Sequence, residues 1–168
     1  MIKKTLFTIF FLLFLMANSH SAESGDGGST ESGASKIRTD YDKAVSHIKL
    51  AKKYEKKNKI KKANKRYQKA LKLLIKSNEK KPNNPNTLNY LGFTTRKLGD
   101  FVHGEKFYLE GLAIEPNHIG INEYLGELYV ATNRIDLAKE RLKILKGCNC
   151  EEYIELSEII KGTKKSKY

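Results

Sequence analysis

From residue 39 onward the apolar positions of this chain return every third or fourth residue, with lysine, glutamate and asparagine between them. That spacing puts the apolar side chains on one side of a helix with 3.6 residues per turn. Pro82, Pro85 and Pro116 interrupt it, as do the turns Leu98-Gly99-Asp100 and Thr132-Asn133-Arg134. The pattern predicts helices over 39–57, 59–79, 85–97, 101–114, 119–131, 135–145 and 151–161. Thr39 with Asp42 three residues later has the form of a capping box. Pro85 suits a first turn, where its missing N–H is not needed. Gly99 and Asn133 can take the left-handed conformation that ends a helix.

The helices repeat. Tyr90-Leu91-Gly92 returns as Tyr124-Leu125-Gly126, 34 residues further on, early in its helix each time. A fixed period of that length marks stacked helix pairs. An earlier unit starts near Ala44, with Leu50, Ala51, Tyr54, Ala63, Tyr67 and Ala70 in register. Ala44 to Pro85 spans 41 residues, seven more than the period. Seven residues are about two turns, so the second helix of that unit is expected to be longer by that amount. Small residues let paired helices approach, and Leu and Tyr fill the space between pairs. The segment 151–161, with Tyr153, Ile154, Ile159 and Ile160 among charges, would cap the array.

These residues resemble the tetratricopeptide repeat family over roughly three-quarters of the chain. The match is most specific over 85–118. Leu88, Leu91 and Gly92 fit the first helix, with Thr95 where an aromatic is usual. Gly104, Tyr108, Gly111 and Pro116 fit the second. The next unit keeps Leu125, Gly126, Tyr129 and Ala138 and departs at Asn122, Leu142, Leu145 and Cys150. The Cys pair leading into Glu151 also looks like a subgroup of small exported bacterial repeat proteins.

The resemblance implies an all-α, right-handed α-solenoid of about three helix pairs, near 44–84, 85–118 and 119–150, plus a C-terminal cap helix over 151–161. It implies a non-catalytic adaptor that binds a peptide or protein in a concave groove lined by the first helix of each pair. The residues expected there are Lys49, Lys52 and Lys56, with Ile48; then Asn86, Asn89, Tyr90, Phe93 and Lys97; then Glu123, Tyr124 and Glu127, with Val130. Asn and Tyr can hydrogen-bond an extended backbone, and Tyr90, Phe93 and Tyr124 offer apolar anchors. Packing between helices is the alternative for Tyr90 and Tyr124. Members that hold a peptide's terminal carboxylate use a fixed basic and Asn clamp. The matching positions here are Ile48, Lys52, Tyr90, Gly120 and Tyr124, of which only Lys52 is basic, so that clamp is absent.

The chain starts with Lys3 and Lys4, an apolar run over 6–16, and the small residues of Ala17-Asn18-Ser19-His20-Ser21-Ala22. This is the pattern of a secretory signal peptide over 1–22, cut after Ser19, Ser21 or Ala22. Eleven residues would span about 16 Å, against roughly 30 Å for a bilayer core. Residues 23–36 are Gly, Ser and acid and read as a flexible tether. The repeat domain is expected over 37–162 and a basic tail over 163–168, in the periplasm or secreted.

The charge is uneven. Residues 43–81 hold 16 Lys and Arg against two acids, whereas 82–168 hold 12 of each. Such a block suits an acidic partner, or peripheral contact with an anionic membrane or envelope polymer. Lys outnumbers Arg 27 to 5, which also fits an AT-rich genome and lacks the Arg preferred for phosphate recognition. Nucleic acid is not an expected partner. Cys148 and Cys150 are the two thiols. In an exported chain they suit a disulfide that staples the turn into the cap helix. A redox pair, a copper or zinc site, and a bridge to a partner remain alternatives. His47, His103 and His118 have no metal-ligand spacing, and no phosphate loop or catalytic constellation is present. No cofactor, metal or catalytic residue is expected, and the oligomeric state is left open.

Overall fold

The computed structural model of the chain describes residues 38–166. The expected signal peptide over 1–22 and the tether over 23–36 lie outside them. The described residues form α1 (Asp40–Lys56), α2 (Ile60–Lys80), α3 (Pro85–Lys97), α4 (Phe101–Ile114), α5 (Ile119–Ala131), α6 (Ile135–Leu145) and α7 (Glu151–Ile160), with no strand among them. Every expected helix is present, its ends within one residue of those read from the sequence.

Local chemistry explains the ends. At the start of α1 the Asp42 N–H donates to the Thr39 hydroxyl at 3.1 Å, and the Thr39 N–H donates to the Asp42 carboxylate at 3.0 Å. Asn84 caps α3 by accepting from the Thr87 N–H, and Asp100 caps α4 by accepting from the His103 N–H. His118 caps α5 through Nδ1, which accepts from the Ile121 N–H at 3.1 Å. The turns inside the three pairs each contain one left-handed residue, Asn58, Gly99 and Asn133, with φ of 52°, 97° and 59°. Asn tolerates this conformation better than other side chains, so the turn chemistry repeats even where Gly does not.

Small residues set the spacing of the helices. In the first pair Ala44, Ala51, Ala63 and Ala70 are fully buried, with Tyr67 and Leu74 filling the rest. In the second, a Cβ on Gly92 would stand 2.6 Å from the Tyr108 ring, which therefore lies flush on the α3 backbone. The third pair solves the problem differently. Leu142 stands where Tyr108 would be, and the space over Gly126 is taken by Leu156 of α7, 2.5 Å from where a Cβ would be. The cap helix thus completes the third unit's packing. The seven-residue surplus lies in α2, 21 residues against 14 in α4.

The helices pack as consecutive pairs, with α2 against α3, α4 against α5 and α6 against α7. The first helices α1, α3, α5 and α7 also touch in sequence, so they form one continuous face. This is an all-α helical repeat.

Candidate functional site

The face made by the first helices carries the residues singled out from the sequence, and it sorts them by chemistry. Lys52 on α1, Phe93 on α3 and Glu127 on α5 stand at equivalent places in successive units. Their side chains are a cation, an aromatic and an anion.

At the α1 end, Lys52 Nζ lies 4.5 Å from the centre of the Phe93 ring and 5.6 Å from that of Tyr124. It also donates to the Tyr124 hydroxyl at 3.3 Å. Phe93 is 1 % exposed and packs on Tyr67 and Tyr124, with ring centres 5.9 Å and 5.1 Å away. It is core in this structure and is not open to an occupant. Lys97 pairs with Glu55 at 2.6 Å, and Glu55 also accepts from the Tyr67 hydroxyl at 2.9 Å. Lys49 and Lys56 are exposed, and Tyr90, half-buried, lies against Tyr41. Burial pushes the Tyr41 phenol up to about 12 and raises those of Tyr67, Tyr90 and Tyr124, so all four stay neutral donors in ordinary buffers.

In the middle, Asn86 is exposed and its Oδ1 accepts from His118 Nε2 at 3.2 Å. The His118 tautomer follows from its cap, because Nδ1 must accept and Nε2 therefore carries the proton. Asn89 is 8 % exposed, and its Oδ1 is buried without a hydrogen-bond partner. Gly120, at a place where the family's clamp is basic, leaves room for this side chain: a Cβ there would be 2.9 Å from Asn89 Nδ2. Beside the face, a cleft of about 410 Å³ lies between the starts of α1 and α3 and the end of α2, bordered by Tyr41, Lys80, Asn84 and Asn86.

The α5 end is ionic and sealed. Glu123 and Glu127 are 5 % and 0 % exposed, although sequence reading places them in an open groove. Arg96, equally buried, donates to the Tyr124 carbonyl at 2.7 Å and to Glu127 at 3.4 Å. Carboxylate oxygens of Glu123, Glu127 and Glu155 lie within 4.8 Å of one another. Three such oxygens could hold a hard cation. Here the positive charge comes from the chain itself, from Arg96 on Glu127 and from Lys164 on Glu155 at 2.9 Å. The sequence singled out neither Arg96, Glu155, Lys164 nor Ser166, since their meeting depends on packing between helices distant in the chain.

Cys148 and Cys150 are joined in a disulfide, with Cys150 the residue that starts α7. The bond leaves neither sulfur as a thiolate ligand. Among the described residues no helix is long and apolar enough to cross a membrane.

Compared with known proteins, the sequence matches no family model and no curated protein. Its structure is similar to the first tetratricopeptide repeat domain of Spaghetti (RPAP3), solved bound to the HSP90 peptide SRMEEVD. The two share 20 % identity at a TM-score of 0.52, over 76 % of this chain and 97 % of that one. At that identity the likeness shows the fold, which is tetratricopeptide-like.

Proposed function

We propose that the protein is an exported, non-catalytic adaptor that holds an extended peptide segment along its first-helix face. One observation carries this reading: the orphaned Oδ1 of Asn89, buried at the centre of a face whose fold holds a peptide in its structural neighbour. A buried acceptor without a partner costs on the order of 1–3 kcal/mol, and a turn of the Asn89 side chain towards the face would bring it to a peptide N–H and recover that cost. Asn86 and Tyr90 flank it on α3 and supply polar and aromatic contacts. The bound segment is internal rather than a chain end, because the clamp positions are Ile48, Lys52, Tyr90, Gly120 and Tyr124, and Lys52 is already engaged by Tyr124. Export is supported by the basic and apolar start of the chain and by the disulfide, which persists in oxidising compartments.

The test has two steps. Crosslinking capture from the native envelope fraction, read by mass spectrometry, identifies the partner. The Asn89→Leu variant then separates function from stability. It should unfold no more easily than the parent, since an unsatisfied acceptor is removed, yet bind the captured partner at least about tenfold more weakly. A partner held equally well by Asn89→Leu and by Tyr90→Ala would sink the reading.

A second reading rests on α2, where Lys61, Lys62, Lys65, Lys69, Lys72 and Lys76 are all exposed. Such a surface would bind anionic lipid or envelope polymer, and a salt-sensitive association with phosphatidylglycerol vesicles would reveal it.

A further inference from the structure

Beyond α7 the chain turns back on itself. Gly162 takes φ of +74°, a conformation that favours glycine, and the Thr163 and Lys164 N–H groups donate back to the Glu158 carbonyl. This reversal brings the tail against α5 and α7. Lys164 Nζ sits 2.9 Å from Glu155 and 3.7 Å from Glu158. The Ser166 hydroxyl donates to Glu127 at 3.3 Å, across 39 residues of sequence. The tail is therefore a basic segment resting on Glu155, Glu158 and Glu127, the last of which also pairs with Arg96, beside the cluster of Glu123, Glu127 and Glu155.

We infer that this acidic end of the first-helix face is a seat for a lysine-bearing peptide segment, and that the chain's own tail occupies it in cis. The inference rests on the adaptor reading and sharpens it, because it fixes the chemistry of the partner at one end. The bound segment enters basic end first over α5 and α7, with its remainder passing Asn89 towards the exposed Lys49, where an acidic residue is favoured. The tail is built for displacement. Its Lys164 side chain is 35 % exposed, and exposed ion pairs are individually weak. A tethered occupant competes through its high local concentration and not through strong contacts. A partner must therefore present the same charge at greater contact area.

The probe is a fluorescein-labelled peptide copying residues 162–168, read by anisotropy against the purified chain and against a chain ending at Gly162. The shortened chain should bind at least about fivefold more tightly, since its seat is always free. Glu155→Gln in the shortened chain should weaken binding by about the same factor, and a probe with its lysines changed to glutamate should not bind. If the shortened chain unfolds, the full-length Lys164→Glu, Ser166→Ala variant repels its own tail from Glu155 and Glu158 and should show the same tightening. Equal affinity for the full and freed chains, or no binding to a folded, freed chain, overturns the proposal. So does a dimer that disappears with the tail, because the occupant would then come from a second copy. A captured partner crosslinked at α1 and α3, with the tail peptide unbound, overturns the seat and leaves the adaptor reading intact. Tail-peptide binding without any captured partner supports the seat alone.

Discussion

The two ends of the first-helix face hold their charges by different physics. At the α1 end Lys52 lies over the rings of Phe93 and Tyr124, with its ammonium reaching the Tyr124 hydroxyl. Aromatic faces and one hydroxyl hold a cation that water can still reach. At the α5 end Arg96 and Glu127 are wholly sealed, and the carboxylates crowd together. A buried ion pair gives little net stability when made and costs much when halved, because desolvation is already complete. The first end therefore tolerates change, whereas the second enforces one arrangement of α3, α5 and α7.

The largest expected effect tests that contrast directly. Arg96→Met leaves Glu127 buried without its guanidinium and should destabilise the fold by about 3–5 kcal/mol in urea unfolding. Adding Glu127→Leu should return most of the loss, since an apolar pair of similar size carries no desolvation cost. If the double variant is as unstable as the single one, packing rather than charge governs this end.

Next come the close approaches between helices. Gly92→Ala would push its Cβ into the Tyr108 ring, and Gly126→Ala would meet the Leu156 side chain. Overpacking of this kind costs about 1–3 kcal/mol, and the flat, fully buried ring has less freedom to yield than a leucine tip. Gly92→Ala should therefore lower the melting temperature more than Gly126→Ala. Equal losses would mean that α7 is held as rigidly over the third unit as Tyr108 is over the second.

The sequence made the frame legible but not the site. Helix ends could be read because their causes are local: the Thr39 cap, Pro85 in a first turn, and Gly99 and Asn133 at equivalent turns. The extra length of α2 followed from counting residues between units. Phe93, Glu123 and Glu127 were assigned to an open groove because helical periodicity identifies a face but not what covers it. Here α1 supplies Lys52 over Phe93, while the tail contributes Ser166 over Glu127. Arg96 lies in a run from Leu91 to Arg96 that is buried throughout, and one-sided patterning cannot express such a run.

Smaller effects sharpen the comparison at its margins. Replacing Cys148 and Cys150 by Ser frees a short loop whose closure contributes about 1–2 kcal/mol in a chain-entropy picture. The loss should be matched by reduction of the parent chain in dithiothreitol, with binding through Asn89 unchanged. Lys52→Met keeps the hydrophobic stem over Phe93 and removes the cation, so it should cost only about 0.5–1 kcal/mol. A loss as large as that of Arg96→Met would erase the distinction between the ends.

The smallest effect concerns acid. His47 on α1 has its imidazole held below the ordinary range, first by burial and then by Arg66 and Lys69 on α2. Its charged form is therefore favoured in the unfolded chain. Above the unfolded value near 6.5 the two states carry the same proton count and His47 has no influence. Below it the unfolded chain binds a proton that the fold resists, and stability falls until the folded imidazole also titrates. Removing the group with His47→Gln should flatten that part of the stability profile by no more than about 0.5 kcal/mol, as expected of a partly exposed site. Arg96→Met together with Glu127→Leu removes the ion pair and leaves no lone carboxylate at that position to titrate, so the double variant should leave the slope near pH 6 unchanged. A profile altered by that double variant and not by His47→Gln would place the acid sensitivity at the wrong end of the face.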